Sequence, residues 1–317
     1  MKAILVPTRG GPEAVVYGEA PDPVAQPGEV LVRVRAAGLN RADLLQVAGH
    51  YAPPRGASEI LGLEAAGEVE SSGERVFFLL PGGGYAERVS VPLGMLIPIP
   101  EKMSFVQAAA IPEAWFTAFL NLFHEAHLHR GETVLLHAAA SGVGTAALQL
   151  SLRTGARVLA TSRSAEKRAR LLEMGARHCF EPDPATLLSN LDAAIGKEGI
   201  EVALDPIGGP LFPQTLEAMA QEGRVVLIAT MGGGTASVDL RTILRKRLRI
   251  IGSTLRSRRL EEKVYLTGTF RREVLPGFID GTLAPVIDRT FPLERAGEAL
   301  ARMASNENVG KIVLEVP

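Results

Sequence analysis

The sequence predicts an α/β protein in which a doubly wound parallel sheet is joined to a second, β-rich and barrel-like unit. Three observations point to this fold class. The chain has 317 residues, more than a single hydrophobic core usually organises. Its first hundred residues are rich in Gly, Pro and Val, and from about Ser104 the pattern turns to alternating strands and helices. We therefore expect a first domain of residues 1–117 and 260–317 and a second domain of residues 118–259.

Short strands separated by turns account for the first domain. Residues 30–38, VLVRVRAAG, alternate apolar and basic side chains, which is typical of a half-buried strand. Residues 74–92 predict two further strands joined by a Gly-containing turn. After about Leu260 the chain returns to helices and ends in the strand KIVLEVP. We expect this last segment to fold back onto the N-terminal unit, which would make the first domain discontinuous.

The middle of the chain alternates strand and helix. Residues 133–138 and 157–162 predict strands, and residues 144–155 and 165–176 predict the helices that follow them. The segments EVALDPIGG, GRVVLIATMGGG and LRIIGSTL each begin as strands of the same apolar kind. Strands that alternate with helices of this length form crossover units, and such units build a parallel, doubly wound sheet.

Composition and charge exclude several classes of partner. The apolar stretches are broken by Gly, Pro or charge far below the roughly 20 residues that a membrane span requires. A formal net charge of -1 offers no basic field for a dedicated nucleic-acid partner. The one cysteine, Cys179, agrees with a reducing compartment and excludes a zinc cluster built on cysteines. With no secretory pattern at the N-terminus, we expect a cytoplasmic protein.

A glycine-containing turn between a strand and a helix predicts a dinucleotide site. The turn is SGVG, and its residues are Ser141, Gly142, Val143 and Gly144. Gly142 permits a tight turn, and Gly144 lets backbone amides approach a pyrophosphate at the N-terminus of the next helix. Ser141 adds a hydroxyl donor. The alternative is a purely structural turn or a site for another nucleotide-like ligand.

The end of the next strand favours NADPH over NADH. An NAD site usually places a carboxylate there to receive the ribose hydroxyls. This chain has Ser162 and Arg163, followed one helical turn later by Lys167. Hydroxyl, guanidinium and ammonium groups bind a 2′-phosphate, whereas a carboxylate repels it. The alternative is that Arg163 and Lys167 are ordinary surface charges and that NADH is held by the backbone.

Several segments resemble one family along nearly the whole chain. AAGLNRADLLQVAGHY, LGLEAAGEV, AAAIPEAWFTAF, HAAASGVGTAALQL, MGGG and VGKIVLE resemble the quinone oxidoreductases of the zeta-crystallin-like branch of the medium-chain dehydrogenase/reductase superfamily. The resemblance implies a GroES-like catalytic domain and a Rossmann domain that binds NADPH. It also implies that Asn40 and Tyr51 are catalytic and line the nicotinamide and substrate site. Further residues implied near the nicotinamide ring are Thr117, Met231, Ser253 and Leu255.

The same resemblance implies a zinc-free site. Zinc-dependent members place a cysteine where this chain has Asn40, and a His-Glu pair where it has Leu63 and Glu64. Leucine has no donor atom, and an amide is a poor zinc ligand compared with a thiolate. Two departures from the family pattern stand out. The connection between Gly67 and Glu74 is short, and near the adenosine phosphate a common tyrosine is replaced by Phe180, Glu181 and Pro182, which could weaken NADPH selectivity.

These observations predict an NADPH:quinone oxidoreductase that transfers hydride directly to a quinone. Tyr51 either donates a proton to the developing oxyanion or packs against the nicotinamide. Two alternatives stay open at this point: 1,4-reduction of an α,β-unsaturated carbonyl on the same scaffold, and a non-catalytic, crystallin-like NADPH-binding protein. The segment LRIIGSTL, an apolar antiparallel candidate strand at the far end of the Rossmann unit, predicts a homodimer formed by pairing across a two-fold axis.

Overall fold

A computed structural model describes residues 1–317, the side chain of Lys197 excepted. It divides the chain into two compact units. Unit 1 comprises Met1–Phe116 and Leu255–Pro317, and unit 2 comprises Thr117–Thr254. From the sequence we expect the first domain to end at residue 117 and to resume at residue 260. In the structure unit 1 ends at residue 116 and resumes at residue 255. Leu255 therefore belongs to unit 1.

Unit 1 is built on a seven-stranded sheet and a small two-stranded sheet. The small sheet pairs β1 (Lys2–Leu5) with β2 (Val16–Glu19) in antiparallel register. The large sheet has the order β14-β15-β3-β4-β5-β7, with β6 paired to β3. Its strands are β3 (Glu29–Gly38), β4 (Glu64–Val69), β5 (Arg75–Leu79), β6 (Arg88–Pro92), β7 (Ile97–Pro98), β14 (Ile287–Pro292) and β15 (Lys311–Glu315).

The long strand β3 organises this sheet because it pairs with three partners. Its first half pairs with β6, its second half with the C-terminal strand β15, and its other edge with β4. The expected return of the C-terminal segment onto the N-terminal unit is thus seen as an antiparallel pairing of Val313 with Gly38. This pairing brings Lys311, at the start of β15, to the end of β3 where Asn40 lies.

Helices flank the sheet of unit 1. They are α1 (Arg41–Val47), α2 (Phe105–Ala109), α9 (Leu260–Glu273), α10 (Leu275–Ile279) and α11 (Ala296–Ala304), together with the first residues of α3 (Pro112–Phe119). Phe116 of α3 stacks on Phe270 of α9, with ring centroids 4.4 Å apart. Trp115 meets Phe278 edge-on at 4.6 Å. These aromatic contacts tie α3 to the C-terminal helices.

Unit 2 is a six-stranded parallel sheet with the order β10-β9-β8-β11-β12-β13. The strands are β8 (Thr133–Leu136), β9 (Arg157–Thr161), β10 (His178–Phe180), β11 (Ile200–Asp205), β12 (Met219–Leu227) and β13 (Arg249–Gly252). A π-helical segment, Leu120–Glu125, precedes them, and the connecting helices are α4 (Gly142–Thr154), α5 (Ala165–Glu173), α6 (Leu187–Ile195), α7 (Phe212–Ala218) and α8 (Leu240–Lys246). The strand order is that of a Rossmann fold, with the reversal between β8 and β11.

The predicted fold class is confirmed, with two differences in strand pairing. The strands of residues 74–92 do not form a hairpin, because β5 pairs with β4 and β7 whereas β6 pairs with β3. The segment LRIIGSTL forms the edge strand β13 as expected, but it runs parallel to its neighbour β12 rather than antiparallel. Both differences concern long-range pairing, which the alternation of side chains does not encode. Among the described helices, none is both long and apolar enough to cross a membrane.

Candidate active site

The turn after β8 gives the start of α4 the features of a phosphate-binding site. Ser141 is the N-cap of α4, and its Oγ accepts a hydrogen bond from the Gly144 amide at 3.0 Å. The amides of Gly142 and Val143 lie in the first turn, where a helix has no carbonyl to pair with them. These amides and the positive end of the helix dipole favour a bound anion.

Gly144 is needed for close packing rather than for an unusual backbone angle. A Cβ at this position would lie 2.5 Å from the backbone of Ala139, which leads into the turn. The left-handed residue of the turn is Ala138, with φ of 49°, the second residue after β8. Backbone strain of this kind, at a non-glycine residue, is often retained at ligand sites.

The buried side chain of His137, just before the turn that leads into α4, is held by two hydrogen bonds. His137 Nε2 lies 2.8 Å from Thr215 Oγ1, and Nδ1 lies 3.1 Å from Thr161 Oγ1. Because the Thr215 hydroxyl donates its one proton to the Leu211 carbonyl, it must accept from Nε2, and Nδ1 then accepts from Thr161. Burial lowers the pKa of His137, so a neutral imidazole links β8, β9 and α7 beneath the phosphate turn.

The end of β9 places the three residues expected at the adenosine end. Ser162 is buried, Arg163 is exposed, and Lys167 lies in the first turn of α5. Sequence reasoning missed Arg168, whose Nη1 donates to the carbonyls of Ser162 at 2.9 Å and Arg163 at 2.7 Å. Arg168 also lies 3.6 Å from Glu181. The carboxylate of Glu181, which departs from the family pattern, is therefore paired with the Arg168 guanidinium.

The remaining cofactor candidates of unit 2 follow other strands of the same sheet. Met231, in the loop after β12, is half-exposed, and its amide donates to the Pro206 carbonyl after β11 at 3.1 Å. Ser253 follows β13; its amide donates to the Leu227 carbonyl at 3.0 Å, and its buried Oγ has no partner among the described residues. Thr117, in α3, accepts a bond from Asn121 at its carbonyl. Because C-terminal ends of parallel strands share one edge, Ser141, Ser162, Met231 and Ser253 lie along that edge.

In unit 1, Asn40 is held in a buried charged network. Its Nδ2 donates to Glu64 Oε1 at 2.8 Å, and its Oδ1 accepts from Lys311 Nζ at 2.7 Å. Lys311 Nζ also donates to Glu64 Oε1 and to the Leu39 carbonyl, both at 2.5 Å. The two charged side chains are almost wholly buried, with 4% of Lys311 and 0% of Glu64 exposed. A Cβ on Gly38 would collide with the Glu64 carboxylate, which explains the glycine at the end of β3.

This arrangement does not fit a zinc ion at the positions where zinc-dependent relatives place ligands. The oxygens of Asn40 and Glu64 already face the Lys311 ammonium, and Leu63 is a buried hydrocarbon. Cys179 lies on β10 of unit 2, outside this network. The positive charge beside Asn40 and Glu64 is that of the Lys311 side chain.

Asp43 and Tyr85 extend the buried network toward α1. Asp43 Oδ2 accepts from the Tyr85 hydroxyl and from the Asn40 amide, each at 2.7 Å. Asp43 is wholly buried, and burial raises its pKa to about 6, against the opposing effect of these hydrogen bonds. The bond to the Asn40 amide fixes the backbone at which the Asn40 side chain begins.

Tyr51 lies under a buried guanidinium. The Arg256 guanidinium carbon is 5.1 Å from the centre of the Tyr51 ring. Arg256 Nε donates to the Pro81 carbonyl and Nη2 to Gln46 Oε1, both at 2.8 Å, while Nη1 is buried without a partner among the described residues. Burial and Glu113 raise the pKa of Tyr51, and Arg256 lowers it. Arg256 thus fixes the position of the Tyr51 ring, and its charge makes the phenol more acidic than burial alone would.

Glu113, at the start of α3, is bonded through its main chain to the network around Asn40. Its amide donates to Glu64 Oε2 at 2.8 Å, and its side chain is partly exposed with a buried Oε2 that has no partner among the described residues. Burial, followed by the nearby charge of Glu64, raises the pKa of Glu113 to about 8. Glu113 is therefore mostly protonated at neutral pH, a state suited to proton donation.

Sequence reasoning missed most of this network. It assigned no role to Lys311, Glu113, Arg256 or Asp43. One signal was present, because Lys311 opens the apolar strand KIVLE, and a buried lysine is rarely found without a charged partner. The identity of that partner depends on contacts between distant parts of the chain.

Comparisons with known proteins agree with this architecture. Residues 26–101 match the family described as an alcohol dehydrogenase GroES-like domain, and residues 142–267 match the family described as a zinc-binding dehydrogenase. A quinone oxidoreductase of Rattus norvegicus is 31% identical over an alignment of 326 positions, which covers 99% of this chain and 97% of the relative.

Two solved structures extend the likeness to the whole fold. One is the mycobacterial protein Rv1454c complexed with NADPH, with a TM-score of 0.90, 25% identity, and coverage of 99% of this chain and 100% of that one. The other is described as an NAD-dependent alcohol dehydrogenase, with a TM-score of 0.88, 29% identity, and 100% coverage of both chains.

Fold, site and comparisons together define an oxidoreductase with a GroES-like unit and a Rossmann unit that binds a nicotinamide dinucleotide. The chain belongs to the zeta-crystallin-like quinone oxidoreductases of the medium-chain dehydrogenase/reductase superfamily. The resemblance stated from its motifs is thereby confirmed.

Proposed function

We propose that the protein reduces quinones with NADPH, by direct hydride transfer and without a metal. One observation carries this proposal: the oxygens around Asn40 are held by the Lys311 ammonium instead of being arranged around a metal. A carbonyl acceptor must then be polarised by hydrogen bonds, with the Tyr51 phenol as the donor at hand. Quinones accept hydride with such modest activation, whereas less electrophilic carbonyl acceptors gain more from a Lewis acid. The full-length similarity to a quinone oxidoreductase supports the same acceptor.

The residues proposed to hold NADPH are those assigned to it from the sequence, and NADPH supplies the hydride from C4 of its nicotinamide when bound. Ser141 and the amides of Gly142–Gly144 would bind the pyrophosphate. Ser162, Arg163 and Lys167 would bind the 2′-phosphate by charge-assisted hydrogen bonds. The proposed nicotinamide contacts are Asn40, Tyr51, Thr117, Met231, Ser253 and Leu255.

The preference for NADPH is part of the proposal. The exposed guanidinium of Arg163 supports it, because no carboxylate occupies the end of β9. The complex of a structural relative with NADPH points the same way, while another relative is described as NAD-dependent. Arg168 pairs with Glu181 and so weakens the repulsion that this carboxylate would exert on a phosphate.

A single assay series tests the proposal. Oxidation of NADPH and NADH is followed with ortho-quinones, para-quinones and enones, each with and without a chelator. We expect NADPH oxidation with quinones, unaffected by the chelator, and a lower kcat for Tyr51→Phe than for the control Tyr17→Phe, which alters an exposed tyrosine of β2. Enones as the better acceptors would replace the quinone assignment, and binding of NADPH with no acceptor reduced would favour a non-catalytic role.

We also propose a cytoplasmic homodimer. The edge strand β13 leaves backbone groups unpaired on one side, and it lies next in sequence to α8, where 71% of Leu240 and 79% of Leu244 are exposed. An apolar edge of this kind favours pairing with a second copy. Light scattering should give twice the chain mass for the wild-type protein and the chain mass for Leu244→Arg. A monomeric wild-type protein would refute the dimer.

A further inference from the structure

Ala138, the left-handed residue of the turn between β8 and α4, is bonded to the N-cap of that helix. Its φ of 49° lies in a region that the Cβ of an alanine disfavours and that a glycine adopts readily. Its carbonyl accepts a hydrogen bond from the amide of Ser141, the N-cap residue, at 2.9 Å. The conformation of Ala138 therefore helps to set the direction of the first amides of α4, and neighbouring residues must hold it there.

Backbone hydrogen bonds fasten both ends of this turn to neighbouring strands. The His137 amide donates to the Leu204 carbonyl of β11 at 3.1 Å, and the Ala139 amide donates to the Thr161 carbonyl of β9 at 3.0 Å. Ala138 lies between these two anchored residues. A single hydrogen bond fixes a distance more closely than it fixes a backbone dihedral angle. The strained conformation of Ala138 therefore needs a further constraint.

The side chain of His137 supplies that constraint. His137 is only 2% exposed; its Nδ1 lies 3.1 Å from Thr161 Oγ1 of β9, and its Nε2 lies 2.8 Å from Thr215 Oγ1 of α7. A ring that is bonded at both nitrogens cannot turn without leaving a buried polar group unpaired, which costs free energy. The fixed ring holds the Cα–Cβ bond of His137 and, with it, the direction in which the chain enters Ala138.

We infer that His137 is a positioning residue for the dinucleotide: its two side-chain hydrogen bonds keep Ala138 in the left-handed conformation and so keep the first amides of α4 available to a pyrophosphate. The inference rests on dinucleotide binding at this turn, which is part of the proposed function. Because its ring is buried against α7, His137 acts through Ala138 and not by contact with the cofactor.

The test combines His137→Leu with Ala138→Gly. The first substitution removes both side-chain bonds, and the second removes the strain, because glycine adopts a positive φ without the penalty of a Cβ. We expect His137→Leu to raise the Kd for NADPH by about 10-fold, the size of an alanine's preference against the left-handed region. Ala138→Gly should restore most of this loss in the double variant and change the Kd of the wild-type protein by less than about 3-fold. Titration of NADPH fluorescence gives each Kd.

Two further variants separate this role from a general loss of stability. Thr161→Val is a nearly isosteric change that removes only the bond to Nδ1, so it should give a smaller loss of affinity that Ala138→Gly also restores. It provides the same comparison if His137→Leu does not fold. Leu216→Ala is the control, because Leu216 is a buried core residue of α7 whose truncation destabilises unit 2. Its Kd for NADPH should match the wild type with or without Ala138→Gly.

A spectroscopic measurement checks the hydrogen bonds directly. Since the Thr215 hydroxyl donates to the Leu211 carbonyl, the His137 ring should be neutral at pH 7 with its proton on Nε2. Nitrogen NMR of protein labelled with ¹⁵N-histidine reports this state, and the His137 signals are those missing from His137→Leu, or from a His137→Asn protein. A proton on Nδ1, or a charged ring at this pH, would overturn the hydrogen-bond arrangement on which the inference depends.

The outcomes separate the inference from the proposed function. His137→Leu and Thr161→Val proteins that bind NADPH with the wild-type Kd would overturn the role of His137 and leave the reductase proposal standing. So would a loss of affinity that Ala138→Gly does not restore, because the histidine would then act on something other than the strained turn. A wild-type protein that binds neither NADPH nor NADH would instead refute dinucleotide binding at the turn and, with it, both proposals.

Discussion

Replacing Lys311 by methionine should show how much the buried Lys311–Glu64 ion pair contributes to the free energy of unfolding. The substitution keeps most of the aliphatic stem but removes the ammonium that bonds Glu64, Asn40 and Leu39. Breaking a buried pair by removing one partner costs about 3–5 kcal/mol. Glu64 keeps two donors, the Asn40 amide group and the Glu113 N–H, both at 2.8 Å, so the lower end of that range applies. The Leu39 carbonyl loses its donor, which adds about 1 kcal/mol.

The expected loss of unfolding free energy is therefore about 4 kcal/mol, or a decrease in Tm of about 10 °C for a unit of this size. The loss should be larger at pH 8 than at pH 5, because protonation at acid pH relieves a buried carboxylate that has no cation. Urea and thermal unfolding of the purified protein at both pH values provide the measurement. Lys102→Met, at an exposed position, is the matched control.

A double-mutant cycle with Glu64→Gln sharpens the test. Since the double variant buries no unpaired charge, it should be more stable than the sum of the two single losses predicts. A loss below about 1 kcal/mol for Lys311→Met, an equal loss at the two pH values, or strict additivity would each refute the account of a buried, coupled pair.

Three further predictions concern the dinucleotide site and the buried acid. Gly144→Ala should abolish NADPH binding in a fluorescence titration and destabilise unit 2, because its Cβ has no room; Gly252→Ala, whose Cβ meets open space, should do neither. Arg163→Gln combined with Lys167→Gln should raise the Kd for NADPH by about 10–100-fold and leave that for NADH unchanged; equal losses would contradict the assignment. Burial raises the pKa of Asp43 to about 6, so Asp43 should cost the wild-type protein about 3 kcal/mol of unfolding free energy as pH rises from 4 to 6; Asp43→Asn should lose about that much less than the wild type over this interval, and parallel curves of unfolding free energy against pH would contradict this.

Local sequence signals were sufficient to predict the Rossmann sheet and the turn between β8 and α4. The N-caps Ser141 and Ser164 each sit between an apolar strand and a helix, and both accept a bond from an amide three residues later. Such signals span a few residues and need no knowledge of the tertiary fold. The parallel order of the strands then follows from the crossover connections.

The charged network of unit 1 could not be predicted in the same way. Arg256 and Gln46 are 210 positions apart, and Tyr85 and Asp43 are 42 positions apart. No local pattern states which of many acids and bases will be buried together, because that depends on the pairing of β15 with β3 and on the bond from the start of α3 to β4. The pairing of β6 with β3 instead of β5 was missed for the same reason.

The separation of Glu64 from Lys311 by 247 positions has a consequence for synthesis on the ribosome. Unit 2 is continuous in sequence, so it can fold while the C-terminal segment is still being translated. The carboxylate of β4 stays without its counter-ion until β15 emerges and adds to the sheet. The nascent first unit therefore passes through a long interval in which its sheet is incomplete, and chaperone contact during translation would be concentrated there.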